Sequence, residues 1–373
     1  MNLVEVREGE ANLLVPDPAS YTKDGKFDPS WAPVFYNPRM RLNRDLSVIM
    51  VKLNRVRRAL DAFTASGVRA IRYSLEGKAE EVNFNDIDPI ALELARKNAE
   101  LNGVKGRFLN LDARAAMFNA RYDWIDIDPF GTPAPFLLDG TAAIIRKGIL
   151  AVTATDLTAL EGAAPRACLR KYGSVNDGLS SSKEIGVRVL LGSLVRAAAV
   201  AERYIEPMLS FYADHYIRVF VRVLEGASKA DQSLRSMGFV YECPNCLYMS
   251  TSKIAVSNCP KCGGRTKLAG PLWLDRIEDQ TLLENVQQEV LSGPEYSKKA
   301  LEIVSKLRME INFPYWRLDK LASMLKVPMP SRTKLFQCLR EIGRHVTETH
   351  FDYRGFKTDA NYDEIVNCVK VQS

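Results

Sequence analysis

A short apolar segment at residues 122–127, followed by Asp128, Pro129, Phe130 and Gly131, constrains the fold more than any other part of the chain. Its side chains predict a buried central strand of a parallel sheet. Because proline cannot donate a hydrogen bond to a neighbouring strand, the strand should end before Pro129 and leave Asp128 at its carboxyl end. Ligands bind at that edge of open α/β sheets. The segment therefore predicts a carboxylate and an aromatic ring at the mouth of a binding site.

Predicted strands and helices alternate on both sides of this segment, which is typical of a parallel α/β sheet. The further strands are expected at residues 57–63, 81–85, 107–111 and 148–154. An aspartate at one strand end is usually a cap or a turn residue. Here four successive strands end near an acid, namely Asp61, Asp86, Asp112 and Asp128. The repetition favours a shared binding edge.

The sheet is expected to continue beyond its first five strands. Residues 155–183 are predicted to be irregular and to form a loop region near the substrate face, because Pro165, Gly173 and Gly178 interrupt them. A long helix at residues 184–204 follows, and two strands come next, at residues 208–214 and 216–224. These would complete a mixed seven-stranded sheet.

The first strand leads into a turn of small residues that ends at Gly67. Strand, turn and helix in this order form half of a nucleotide-binding unit, and the free N–H groups of the helix start can face a ligand. The turn holds a single glycine, so it is weak evidence alone. Asp86 lies 19 residues after Gly67, close to the expected position of a ribose-binding acid.

The Asp128-Pro129-Phe130 sequence suits methylation of an exocyclic amine on a nucleobase. Such a nitrogen is a poor nucleophile because its lone pair is shared with the ring. A carboxylate that accepts its proton restores electron density, while an aromatic face holds the base in line. The alternative is a strand-ending turn with a structural aspartate.

Seven cysteines are present, and four of them form two closely spaced pairs twelve residues apart: Cys243, Cys246, Cys259 and Cys262. Each pair can place two thiolates on one tight turn, and four thiolates fill the tetrahedron of a structural Zn²⁺. A disulfide pair is the alternative. The other three cysteines, Cys168, Cys338 and Cys368, are expected to be ordinary buried or half-buried thiols.

The C-terminal part of the chain is expected to be a small α+β module. Residues 318–325 and 332–341 resemble a helix-turn-helix, and residues 346–351 and 355–357 resemble the strands of a wing. Such a module often binds nucleic acid, although it also serves as a protein-docking element.

Composition and charge indicate what kind of partner the protein binds and where in the cell it is expected. The 373 residues carry a net charge of +6, and residues 39–72 hold nine Lys or Arg against two Asp. This local excess favours a polyanionic partner, with a solvated basic face as the alternative. No run of residues reaches the length of a membrane span, and the acidic N-terminal segment does not resemble a secretory signal. We therefore expect a cytoplasmic protein.

Taken together, these residues resemble the archaeal and eukaryotic tRNA guanine-26 N2-dimethyltransferases, a class I S-adenosylmethionine-dependent family. The resemblance extends through nearly the entire chain. Its further markers are the segments at residues 34–38, 42–45, 65–72, 85–86, 128–131, 152–156 and 165–172. The set is far more specific than any one of its members.

The resemblance implies a Rossmann-like mixed seven-stranded sheet, an α+β C-terminal domain and a four-cysteine zinc ribbon. The implied division is a methyltransferase domain at residues 1–238, a zinc-binding segment at 239–270 and a winged-helix-like, tRNA-binding domain at 271–373. The implied cofactors are S-adenosylmethionine and Zn²⁺, and the implied partner is tRNA, with no membrane and no obligate protein partner evident.

The resemblance also implies roles for individual residues. Asp128 would be the catalytic acid, and Phe35 and Phe130 would stack on the base. Asp86 would accept the ribose hydroxyl protons of the cofactor. The remaining implied cofactor contacts are Arg44, Arg69, Asp112 and Ala113. The alternatives are an adenine-amine methyltransferase acting on DNA or RNA and a nonenzymatic RNA-binding protein.

Overall fold

The computed structural model describes residues 1–23, 26–293 and 296–372. The strands are β1 (Leu3–Glu8), β2 (Ala11–Pro16), β3 (Thr22–Lys23), β4 (Lys26–Phe27), β5 (Arg58–Asp61), β6 (Glu81–Asn85), β7 (Gly106–Leu109), β8 (Trp124–Ile127), β9 (Ile149–Ala154), β10 (Val175–Asn176), β11 (Arg203–Ala213), β12 (Tyr216–Glu225), β13 (Met237–Glu242), β14 (Met249–Ser252), β15 (Lys267–Trp273), β16 (Trp316–Arg317), β17 (Val346–Glu348) and β18 (Gly355–Thr358). The helices are α1 (Arg41–Leu53), α2 (Val68–Leu75), α3 (Pro89–Leu101), α4 (Ala113–Phe118), α5 (Leu137–Ala143), α6 (Leu157–Leu160), α7 (Pro165–Tyr172), α8 (Ser182–Val200), α9 (Ala227–Arg235), α10 (Gln280–Ser292), α11 (Lys298–Met309), α12 (Leu318–Leu325), α13 (Arg332–Glu341) and α14 (Tyr362–Val371).

The chain divides into two compact units that alternate along the sequence. The first unit comprises residues 1–153, 220–225 and 281–302. The second comprises residues 154–219, 226–280 and 303–373. The predicted division has boundaries at residues 238 and 270, and each of its three domains is one continuous segment defined by an expected function. That division stays a prediction. Within the described residues, no helix is both long and apolar enough to span a membrane.

The central sheet has seven strands in the order β11-β12-β9-β8-β5-β6-β7, which confirms the predicted mixed seven-stranded sheet. The strands from β9 to β7 run parallel to their neighbours. All six residues of β9 and all four of β8 are buried, as expected for central strands covered on both faces. Asp128 follows β8 directly, so it lies at the predicted carboxyl edge.

The turn between β5 and α2 packs closely against α3. Gly67 has a φ of +82°, and a Cβ atom at this position would lie 3.1 Å from the Cα atom of Ala95. Only glycine combines that left-handed conformation with so close an approach at low cost. The single glycine of the turn is therefore required by packing between the turn and the helix.

Residues 155–183 are not the predicted loop region. They include α6, α7 and β10. Pro165 lies in the first turn of α7, and Gly173 ends that helix in the left-handed conformation with a φ of +60°. Proline at a helix start and glycine just past its end are favourable caps, so these two residues bound a helix and do not interrupt one.

The second unit has its own four-stranded sheet, in the order β10-β15-β13-β14. Gly270 and Pro271 lie inside β15. The pairing of β15 with β13 shifts register between Gly238 and Val240, and Pro271 falls in that irregularity. Because a bulge leaves a backbone position without a ladder partner, it tolerates a proline within the strand.

The C-terminal module matches the predicted helices and wing. Helices α12 and α13 have the expected bounds, and β16, β18 and β17 form a three-stranded antiparallel sheet. Cys338 of α13 and Cys368 of α14 form a disulfide, with their Cα atoms 5.8 Å apart. The prediction that both are ordinary thiols is therefore wrong, because their proximity depends on helix packing that the sequence spacing does not reveal. Cys168 is a free, buried thiol, as predicted.

Candidate active site and four-cysteine cluster

Asp128 is held at the end of β8 by a buried arginine from α2. The Nη2 group of Arg69 donates to Oδ2 of Asp128, and the Nη1 group donates to Oδ1 of Asn43 at 2.9 Å. Arg69 is only 5% exposed, whereas the Asp128 side chain is 18% exposed. Among the residues that the structure describes, no donor bonds Oδ1 of Asp128. One carboxylate oxygen is therefore fixed and the other remains available to a ligand.

Three carboxylates surround the Arg69 guanidinium. Besides Asp128, Oδ2 of Asp126 lies 3.9 Å from Nη1 of Arg69, and Asp61 is the third. Burial alone would lower the pKa of Arg69, but the carboxylates of Asp128 and Asp126 hold it well above its ordinary value. Burial, together with the Asp126 charge, raises the pKa of Asp61 to about 7. In the sequence, Asp61 is recognisable only as a strand-end acid.

The two predicted stacking rings are brought together. The ring centroids of Phe35 and Phe130 are 4.8 Å apart, and the rings are nearly perpendicular at 88°. Phe130 is 73% exposed, which is unusual for so large an apolar side chain. As they stand, the rings allow a planar base to stack on one of them, but not to lie between two parallel faces.

The region around the turn after β5 includes two buried polar atoms that have no partner among the described residues. Asp86 is half-buried at the end of β6, and its oxygens accept from the backbone N–H groups of Ala65 at 2.9 Å and Asp88 at 3.0 Å. The Ser66 hydroxyl and Oδ1 of Asp61 are buried, and neither has a hydrogen-bond partner in the described part of the chain. Buried polar groups are normally satisfied, so these atoms fit a polar ligand such as the implied S-adenosylmethionine.

The other implied cofactor residues differ in their surroundings. Asp112 caps α4 and pairs with Arg114 at 2.8 Å; its hydrogen bonds from Arg114 lower its pKa to about 2. Ala113 is buried beside it. Arg44 is buried, and it donates from Nε and Nη2 to the carboxylate of Glu8, both at 2.6 Å. Their roles in cofactor binding stay predictions.

Glu8 is a structural residue that the sequence analysis missed. Besides Arg44, it accepts from Nη1 of Arg72 at 2.8 Å and from the hydroxyl of Tyr36 at 3.0 Å. Burial would raise its pKa, but the two guanidiniums and Tyr36 lower it to about 2. No local signal identifies Glu8, since its arginine partners lie 36 and 64 residues away.

The buried arginines also change the interpretation of the basic segment at residues 39–72. Arg44, Arg69 and Arg72 are all buried and paired with carboxylates. Of the remainder, Arg57 and Arg58 pair with acids on the surface. The cations of this segment therefore do not form a continuous surface that could bind a polyanion.

The predicted four-cysteine cluster is assembled in the second unit. Its four Sγ atoms all lie within 4.8 Å of one another, and the closest pairs are Cys243 with Cys262 at 3.4 Å and Cys246 with Cys259 at 3.6 Å. Four thiolates around a tetrahedral Zn²⁺, at Zn–S distances of ~2.3 Å, lie ~3.8 Å apart. The cluster therefore fits a zinc ion with no position left for a substrate.

The four-cysteine cluster also contacts the C-terminal module. The Tyr362 hydroxyl at the start of α14 donates to the carbonyl oxygen of Cys246, and Lys261 pairs with Asp363 at 2.5 Å. Tyr248 packs edge-on against Tyr362, with ring centroids 5.5 Å apart. These contacts indicate a structural role for the cluster.

Comparisons with known proteins agree on one family. The model of the family described as "N2,N2-dimethylguanosine tRNA methyltransferase" matches residues 9–370. A protein of Metallosphaera sedula named tRNA (guanine(26)-N(2))-dimethyltransferase is 46% identical over 378 residues, covering 100% of this chain and 98% of the relative. A protein of the same name from Sulfurisphaera tokodaii is 43% identical, with 100% of both chains covered.

A solved structure has the same fold. It is the complex of Trm1 from Pyrococcus horikoshii with S-adenosyl-L-methionine, which superposes with a TM-score of 0.89 at 33% sequence identity. The match covers 98% of this chain and 100% of the other.

Proposed function

Because the chain belongs to the N2,N2-dimethylguanosine tRNA methyltransferase family, we propose that it dimethylates the N2 amine of guanine 26 in tRNA, with S-adenosylmethionine as methyl donor. The observation that carries the proposal is the carboxylate of Asp128, which has one oxygen bonded to the buried Arg69 and the other available to a ligand. The exposed ring of Phe130 follows two residues later. A carboxylate in that position suits an amine that must lose a proton as it is alkylated.

In this proposal Asp128 orients the amine and accepts its proton. When bound, S-adenosylmethionine supplies a methyl group that its positive sulfur strongly activates. The amine nitrogen would bond to that carbon as the carbon–sulfur bond breaks and leaves its electron pair on sulfur, giving a neutral thioether, and the amine proton would pass to Oδ1 of Asp128. Arg69 is a positioning residue, since its hydrogen bond to Oδ2 directs the other oxygen outward.

Phe35 and Phe130 hold the base. A guanine inside a paired stem is stacked and out of reach, so it must leave the stack before it reacts. The exposed Phe130 ring offers it a substitute stacking surface, and the perpendicular Phe35 ring supports Phe130 from the side.

The cofactor is proposed to bind around the turn after β5. Asp86 takes the ribose hydroxyls, and Asp112 with Ala113 contacts the adenine edge. Arg44 and Arg69 are the remaining proposed contacts to the cofactor. In support, the turn contains unsatisfied buried oxygens, and the contacts of Arg44 within the described residues leave its Nη1 group without an acceptor.

We further propose one Zn²⁺ per chain, held by the four-cysteine cluster as a structural ion. Residues 271–373 are proposed to contact tRNA, and the proposal includes no obligate protein partner. Since tRNA is the substrate, the proposed location is the cytoplasm.

The test is incubation with unmodified tRNA and isotopically labelled S-adenosylmethionine, followed by nucleoside mass spectrometry. N2-methylguanosine and N2,N2-dimethylguanosine should appear, and fragments should place them at position 26. A parallel reaction with duplex DNA should give no label. Methylated adenine in either nucleic acid, or no transfer to tRNA by protein that binds the cofactor, would refute the proposal.

A further inference from the structure

The C-terminal module contains a cavity with no role in the proposed reaction. It has a volume of about 640 Å³ and lies between α11, α13 and β17, with the side chains of Met309, Phe336, Arg340, Arg344 and Thr347 in its wall. The volume is within the roughly 300–1,000 Å³ range of small-molecule sites. All of these residues belong to the second compact unit, whereas Asp128 belongs to the first.

Two residues that line the cavity each carry a buried polar atom with no partner among the described residues. Thr347 is only 8% exposed, and its hydroxyl makes no hydrogen bond in the described part of the chain. The same holds for Nε of Arg344, although Nη2 of Arg344 donates to Glu364 at 2.6 Å. An unsatisfied buried polar group costs ~1–3 kcal/mol, so a ligand of the cavity that bonded these two atoms would relieve that cost.

The remaining wall combines an aromatic ring with positive charge. Phe336 is half-buried, and the guanidinium carbon of Arg340 lies 5.8 Å from its ring centroid. Lys306 and Arg344 add two further cations. The acid of the wall, Glu348, is already paired with Arg332 at 2.9 Å and lies 3.6 Å from Lys306. The cavity is therefore electropositive and has a flat apolar face.

We propose that this cavity binds one unpaired nucleotide of the tRNA substrate. The base stacks against Phe336, the adjacent phosphate lies near Arg340, and the Thr347 hydroxyl and Arg344 Nε–H bond acceptors on the base or ribose. Stacking on an aromatic ring with flanking cations is how proteins hold single-stranded nucleotides, and it requires no base pairing. The inference rests on the proposed function, because it takes tRNA as the source of the nucleotide.

The most informative variant is Thr347→Val, which keeps the shape and removes the hydroxyl. Because the hydroxyl has no partner in the free protein, its loss should leave the melting temperature unchanged or raise it. The dissociation constant for tRNA should nevertheless rise, about 2- to 12-fold for one lost hydrogen bond. If the Thr347 hydroxyl makes no contact with tRNA, Thr347→Val will bind tRNA with the wild-type dissociation constant.

Two further substitutions test the ring and the charge. Phe336→Ala should weaken tRNA binding by about 5- to 150-fold, whereas the matched control Phe336→Tyr keeps the ring and should bind within a few-fold of wild type. Arg340→Gln should reduce the slope of log affinity against log salt by about one. Lys105→Gln, which removes an exposed cation of the first unit just before β7, should leave the slope unchanged.

These measurements use the full-length protein and are combined with kinetics. The cavity variants should raise KM for tRNA and leave kcat at saturating tRNA within about 2-fold, and photo-crosslinking with 4-thiouridine-containing tRNA should label the α13 peptide. Wild-type methylation with unchanged tRNA affinity in Thr347→Val and Arg340→Gln overturns this inference alone. A wild-type protein that binds tRNA through the cavity but transfers no methyl group overturns the proposed function instead. Binding of a protein partner at α13, with no effect of the variants on tRNA binding, overturns the nucleotide-binding inference and leaves the proposed function standing.

Discussion

Replacing Asp128 by asparagine tests the proposed chemistry with minimal change in shape. An asparagine side chain can still accept the Arg69 hydrogen bond through its amide oxygen, but it cannot take up the proton of the guanine amine. Removal of a general base costs ~10²–10⁴ in rate, which corresponds to about 2.7–5.5 kcal/mol in the activation barrier. We expect methyl transfer to fall by that factor.

The structure indicates that the variant will fold and still bind its cofactor. Arg69 keeps Asn43 as a hydrogen-bond acceptor at 2.9 Å and the Asp126 carboxylate at 3.9 Å, so its buried charge is not left without a counterion. Exchanging a charged acceptor for a neutral one should cost at most ~1.5–3 kcal/mol of folding stability. Cofactor affinity should stay within a few-fold, because the asparagine oxygen still accepts from Arg69, which is a proposed cofactor contact.

The assay is single-turnover methyl transfer to tRNA, with cofactor occupancy set by calorimetry. Asp231→Asn removes an exposed carboxylate on α9 and serves as the control, with an expected rate close to wild type. Asp128→Ala should lose at least as much activity as Asp128→Asn and should be less stable, because Arg69 then also loses its hydrogen bond. Turnover near the wild-type rate in Asp128→Asn at equal cofactor occupancy would refute the proton-acceptor role.

Other predictions address the cofactor, the metal and the buried acids. Asp86→Ala should weaken S-adenosylmethionine binding by about 10- to 150-fold, and an unchanged calorimetric titration would place the ribose contact elsewhere. Elemental analysis of protein purified under reducing conditions should give one zinc per chain, and chelation should first speed hydrogen exchange around the four-cysteine cluster; a metal-free sample refutes the site. Because burial raises the pKa of Asp61 to about 7, the folded protein keeps a proton that the unfolded chain has released. This stability is complete below pH ~4 and is lost as the pH rises to 7, so the unfolding free energy should fall by roughly 1.4 kcal/mol per pH unit from this group. Asp61→Asn should remove that slope in denaturant titrations, and an identical slope in both proteins would contradict the assignment.

The parts of the fold predicted correctly from the sequence are those with local causes. The buried strand β8 ends at Ile127, just before Asp128 and Pro129, and the predicted bounds of β6 agree with the structure because both ends carry polar residues. The family and the fold class are confirmed. The roles of individual site residues stay predictions, although Phe35 and Phe130 are in contact and Asp128 lies at the expected edge.

The features that were missed depend on contacts distant in sequence. Glu8 is matched to Arg44 and Arg72 only after a hairpin and two helices have packed, and the Cys338–Cys368 disulfide needs α13 beside α14. Charge counting overstated the exposed cations of residues 39–72 for the same reason. Sequence composition cannot distinguish an arginine in a buried ion pair from one that faces solvent.

The alternation of the two units along the chain has a consequence for biosynthesis. The first unit needs residues 281–302, where the backbone N–H of Ser297 donates to Asp45 and Glu289 pairs with Lys52. A ribosome adds ~5–20 residues per second, so roughly 8–30 s pass between synthesis of the central strands and arrival of this segment. During synthesis the first unit therefore lacks residues 281–302 until most of the second unit has left the ribosome. A single cut in the gene therefore cannot yield either unit whole.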